Sequence, residues 1–260
     1  MHLKWPLAWK TTFLRIGWWH YVLTIGLLAL WLILTQTEWA ERNYLISAVR
    51  TAEILIPLLA GMQAAYVFSP DDERPLEIML AAPRPILWTI AERITAILGS
   101  YGAIGFATIF FIVATIDIGT VTFGDMLVRW LPPFIWFSGV GLYITMITRQ
   151  GMFGSLMVLI IWGTSLLSSG DVPQKYLAIA PIMPYLRRGA ANISDSLYTL
   201  NRFTLIATGL ILAALALRLA LDSERLLGLS TKRVGTRDWR LKNSQSPVPS
   251  LQSPLTKESA

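Results

Sequence analysis

Cysteine is absent from this chain of 260 residues. Disulfides, thiol catalysis and cysteine-held zinc or iron–sulfur centres are therefore excluded. Histidine is nearly absent too. His2 lies at the N-terminus and His20 at the start of the first apolar run, a poor pair for a metal site or a proton relay. Charge is scarce: 15% of residues are charged, against about 25% in an ordinary soluble domain. No Gly-x-x-x-x-Gly-Lys-Ser/Thr loop occurs, which excludes P-loop binding of ATP by this chain. The net charge of +6 invites a nucleic-acid reading. The Lys and Arg gather in the termini of an apolar chain, however, where membrane orientation accounts for them. No nucleic-acid partner is expected.

What replaces charge is long apolar sequence. Hydrophobic residues make up 54% of the chain, and the length suits five to seven spans of roughly 20 residues each. The runs fall at 18–35, 50–68, 93–116, 131–148, 152–168 and 203–221. The fold class expected is an all-α membrane protein with about six transmembrane helices, its transmembrane domain covering 18–221. The first run is too long for a cleavable signal peptide, and no small-residue cleavage site follows it. With six spans both termini share a side. That side carries fifteen Lys and Arg and the other carries seven, which places both termini in the cytoplasm.

Residues 1–17 and 222–260 flank this domain. Trp5, Trp9, Phe13 and Ile16 share one helical face, with Lys4 and Arg15 beside it. That pattern predicts a helix lying in the headgroup plane. The tail is rich in Ser, Pro, Lys and Arg, buries too little apolar surface to offset ordering, and reads as largely disordered. Its basic stretch from Lys232 to Lys242 either lies on anionic lipid or is inert.

The most informative segment joins the second and third runs. Asp71, Asp72 and Glu73 precede Pro75; Leu76, Met79 and Leu80 follow at helical spacing; Pro83 closes the stretch and Pro85 opens the next helix, which becomes the third span. Acids and a proline favour a helix start, and Pro83 ends the helix by Ala82. The product is a helix of about two turns, too short to be stable alone in water. It must dock, either on lipid or in a partner's groove.

This pattern resembles the membrane subunits of type-2 ABC transporters. In that family the loop after the second span carries acids, a short Leu-Glu-Leu-Leu-like helix and a proline. Here the matching residues are Asp72, Glu73 and Arg74, then Leu76, Glu77, Ile78, Met79 and Leu80, then Pro83 and Arg84. Arg74-Pro75 stands where the family usually has Gly-Thr. The N-terminal interfacial helix is similar to the family's connecting helix. The segment from Val172 to Arg202, with Pro173, Pro181 and Pro184, is similar to its re-entrant helical segment before the last span. Asp222-Ser-Glu-Arg-Leu-Leu-Gly resembles its ending.

The resemblance implies a permease subunit, an exporter, working as a dimer with a second copy or paralogue. Separate ATPase subunits would supply ATP and Mg, and this chain would hold no cofactor and catalyse nothing itself. Asp72, Glu73, Arg74, Leu76, Glu77, Met79, Leu80 and Arg84 would form the ATPase-coupling helix. The setting implied is the plasma membrane, the prokaryotic cell membrane.

Two other classes remain open. An ion-coupled transporter or channel needs intramembrane ionisable groups; Arg50 and Glu53, one helical turn apart near the external end of the second span, are the candidates. They serve equally as a gate or substrate contact, or as a snorkelling span boundary. A membrane-embedded lipid-modifying enzyme would need Asp117 and Asp125, read here as sitting in an external loop, or Glu92 and Arg93 at the start of the third span. Arg187 and Arg188 are either solvated or face an anionic group. Gly99, Gly102, Gly105, Gly139 and Gly141 offer small surfaces for close helix packing.

Overall fold

The computed structural model describes residues 44–67, 69, 86–115, 122–167, 180–186 and 194–221, together with Val22, Ile25, Gly26, Ala29 and Ile33. Among these residues the chain is all-helical and contains no strand. The five early positions are helical and exposed, within the first apolar run. Five helices follow: α1 (Tyr44–Tyr66), α2 (Ile86–Thr115), α3 (Phe123–Thr148), α4 (Gly151–Leu167) and α5 (Asp195–Ala220), with a 3₁₀ turn at Ala180–Ile182 before α5. Three stretches are long and apolar enough to cross a membrane: Trp88–Ala114, Phe123–Thr148 and Asp195–Ala220. This fits a membrane protein.

Four helices begin earlier than the apolar runs that announce them. α1 starts at Tyr44, α2 at Ile86, α3 at Phe123 and α5 at Asp195. In α3 and α5 the physical reason is that acidic and polar residues, Asp125 and Asp195 among them, occupy the first turns; the first turns of α1 and α2 carry no acid. Thr122 caps α3 and forms a reciprocal capping box with Asp125, whose backbone N–H donates to Thr122 Oγ1 over 3.2 Å while its carboxylate accepts from Thr122 N over 3.1 Å. Ser194 caps α5 by accepting from Leu197 N at 3.2 Å. Asp125 therefore belongs to a helix rather than an external loop. Glu92 and Arg93 lie well inside α2, with Glu92 buried and Arg93 donating to the Val67 carbonyl.

α3 is the central helix. In its most apolar window 61% of residues are buried, against 33% for α2 and 22% for α5. It packs on α1, α4 and α5, and glycine makes two of those approaches close. A methyl group at Gly139 would overlap the Gly209 carbonyl on α5, and one at Gly141 would overlap the Gly61 carbonyl on α1. Gly105 is filled by the Trp130 ring, whereas Gly102 faces open space. Trp130 also stacks among Phe106 and Phe134, with centroids 5.5 and 5.0 Å away.

The α3–α4 turn is tied to the end of α1. Arg149 takes a left-handed conformation, φ 67°, and its N–H donates to Thr145 O. Ser69 Oγ accepts from Gly151 N at 2.7 Å and donates to Arg149 O at 3.3 Å. The N-terminal helix 1–17, the acidic loop with its predicted coupling helix, and the tail 222–260 lie outside the described residues.

Candidate functional site

Proline loosens two helices at the same end of the bundle. Pro57 in α1 has no N–H for the Glu53 carbonyl, and its ring crowds that turn. The neighbouring Ile54 carbonyl accepts from Trp162 Nε1 at 3.1 Å and from the Tyr185 hydroxyl at 3.4 Å. Such outside donors are how membrane helices tolerate proline. Pro132 and Pro133 in α3 likewise take the helical donors from Val128 and Arg129.

Arg129 extends from this loosened turn to Glu53 on α1, Nε to Oε1 3.9 Å. Both side chains are partly exposed, at 32% and 22%, so this is a weak, solvent-screened pair. Glu53 thus has an ionic partner across the helix interface. The Arg50 side chain lies outside the described residues.

Beside the pair is a cavity of about 150 Å³ between the first turns of α3 and α5. Its lining comes in two matched triplets. Asp125, Val128 and Arg129 occupy i, i+3 and i+4 on α3; Asp195, Tyr198 and Thr199 occupy the same positions on α5. That spacing puts each triplet on one helical face. The cavity therefore has carboxylates, a guanidinium and hydroxyls converging from two helix N-termini, whose dipoles favour negative charge.

The wall behind it is held by α5. Asn201, fully buried, directs its amide to the carbonyls of Ala180, Pro181 and Met183 at 2.9, 3.1 and 2.8 Å. Arg202, 6% exposed, donates to Pro184 O at 3.1 Å and Leu186 O at 3.3 Å and sits 4.6 Å from the Tyr198 ring centroid. Carbonyls and a ring face thus stabilise a buried guanidinium. Residues 180–186 form a strap, and Tyr185 near its far end is stacked 6.0 Å from Phe137 of α3. Burial, and after it the Glu53 carboxylate, push the Tyr185 phenol well above its ordinary pKa, outweighing the opposite effects of Trp162 and Arg202. The phenol keeps the proton that it donates to Ile54.

Three comparisons bear on this arrangement: family models, curated proteins and solved structures. None matches the chain. The functional reading therefore rests on the residues themselves.

Of the residues singled out from sequence, the structure places Glu53 at this site and puts Asp125 in its wall. Asp72, Glu73, Arg74, Leu76, Glu77, Met79, Leu80 and Arg84 lie outside the described residues, as do Asp117, Arg187 and Arg188. Sequence reasoning missed Arg129, Tyr198, Asn201 and Arg202. It counted the two arginines only as loop charges. The paired Asp-x-x-x-Arg and Asp-x-x-Tyr-Thr triplets behind Thr122 and Ser194 caps were the available signal.

Proposed function

We propose that the chain is the permease subunit of an ATP-driven ABC exporter, dimeric and joined to separate ATPase subunits. The observation that carries the proposal is the acidic, proline-boxed segment from Asp72 to Arg84. Its apolar stripe has no reason to exist on a short surface helix unless something receives it. The Ser69 tie supports the reading. It fastens the chain entering this segment to the α3–α4 turn, so force on the segment would pass into the central helix. Six spans, with the first apolar run as span one, would put this segment and both termini in the cytoplasm and the Glu53–Arg129 cavity at the external mouth. ATP-driven closure of the ATPases would then rock the spans and open or close that mouth.

The Glu53–Arg129 pair, at 3.9 Å, gives one alternative a footing: an ion-coupled transporter, in which an interhelical ion pair is made and broken by the coupling ion. Purification of the tagged chain in mild detergent separates the two. The permease reading expects an ATPase subunit to co-purify. Flux driven by an ion gradient through the purified chain, with no ATPase and no ATP, would replace it with the alternative.

A further inference from the structure

Three tethers from three other elements reach one turn of α1. Arg129 of α3 approaches the Glu53 carboxylate, Nε to Oε1 3.9 Å. Trp162 of α4 and Tyr185 of the strap both donate to the Ile54 carbonyl, at 3.1 and 3.4 Å. The next turn holds Pro57, which supplies no N–H to the helix and crowds the turn before it. Glu53 lies four residues before Pro57, and Arg129 four before Pro133. The ion pair therefore joins two turns that proline loosens.

On the other side of Pro57 the attachment of α1 changes in kind. A Cβ at Gly61 would lie 2.9 Å from both the Cβ and the carbonyl oxygen of Phe137 on α3, and one at Gly141 would overlap the Gly61 carbonyl. A Cβ at Gly154 of α4 would come 3.2 Å from that of Ala65. These are close backbone approaches in a packed interface, which does not deform gradually. Residues 53–55, by contrast, are half-buried, while 56–58 are buried. Side-chain tethers, one of them a solvent-screened ion pair, release and re-form by rotamer changes. The glycine contacts have no such freedom.

We propose that residues 44–56 are a gate arm, hinged at Pro57 and latched at Glu53 and Ile54, while the rest of α1 stays fixed to α3 and α4. Latched, the arm lies against α3 and the strap and closes the mouth. Released, it swings away from them and widens it. This deepens the permease reading by naming the part of the external mouth that moves, and it rests on that reading for what the gate serves. Sharp helix kinks at proline exceed about 20°. A swing of that size about Pro57 would displace Ser47, roughly 15 Å along the arm, by about 5 Å.

The test uses the full cysteine-free chain in nanodiscs, with spin labels on pairs of introduced cysteines and distances read by pulsed electron resonance. Ser47→Cys with Leu200→Cys, the latter exposed on α5, reports the arm. Tyr66→Cys with Leu221→Cys, both exposed, reports the fixed end and the fold. In an unlatched background, Trp162→Phe with Tyr185→Phe, the first pair is expected to gain a population shifted by about 5 Å, and the second pair to keep its wild-type distribution. Adding Pro57→Ala, which restores a helical N–H, is expected to remove the shifted population. An unchanged first pair in the unlatched background, equal shifts in both pairs, or a shifted population that survives Pro57→Ala overturns the proposal. No ATPase takes part in these measurements, so their failure leaves co-purification of an ATPase subunit as a separate result.

Discussion

Single residues set how closely the helices approach. Gly139 and Gly102 make the contrast. A Cβ at Gly139 meets the Gly209 backbone, which cannot move aside, while one at Gly102 meets nothing within 4 Å. Gly139→Ala is expected to destabilise by about 1–3 kcal/mol through overpacking. Gly102→Ala is expected to stabilise by about 0.5–1 kcal/mol by removing backbone freedom. Thermal melts of the two variants in one detergent check both signs. Tyr185 supplies a prediction in pH. Its folded pKa lies above its unfolded value of about 10, so the folded state holds the proton more tightly. That contribution is complete below about pH 10 and is lost as the pH rises through the folded pKa. Tyr185→Phe removes this group from the titration, and melts taken on either side of pH 10 should show a shallower alkaline loss than wild type.

At the scale of the element, the strap at 180–186 is held chiefly from α5. Asn201 serves three carbonyls, those of Ala180, Pro181 and Met183. Asn201→Ala removes that donor from all three carbonyls, of which Ala180 O keeps the Met183 N–H at 3.3 Å, a cost of about 1–3 kcal/mol. Hydrogen exchange should rise over 180–186 and the first turns of α5 while α1 and α4 stay protected; a uniform rise would mean that Asn201 supports the whole bundle. The elements also show what the sequence made legible. Apolar runs located every described helix, because burial or lipid demands them. They begin later than α3 and α5 do, because Asp125, Arg129, Asp195 and Arg202 interrupt hydropathy while lying on those helices, whereas Pro85 marked the start of α2 at Ile86. Those residues are tolerated there through caps, a cross-helix pair and carbonyl contacts, all tertiary partners that a window along the chain does not contain. The site was hidden for the same reason: Glu53 was visible as a charge in an apolar run, but its partner is 76 positions away on α3.

At the scale of the molecule, the described helices expose large apolar side chains, among them Phe110 at 68%, Met152 at 75% and Phe203 at 67%. Water would penalise surfaces of this kind, and lipid or a second copy would not. The absence of cysteine provides a clean background for sidedness. In the proposed topology, Glu77→Cys reacts with an impermeant maleimide only after the cytoplasmic face is exposed, and Arg188→Cys reacts in intact cells. The reverse pattern would invert the orientation, and reaction of both from one side would rule out the arrangement of spans between them.

The central claim is that the Asp72–Arg84 segment delivers force from an ATPase. The most direct measurement compares the ATPase subunit retained by tagged wild type with that retained by a Leu76→Asp, Leu80→Asp variant, purified from membranes in the same mild detergent. The account predicts stoichiometric ATPase with wild type and a loss of at least tenfold with the variant, at equal permease yield. Equal retention by both, or none by either under conditions that keep other membrane complexes intact, would contradict it.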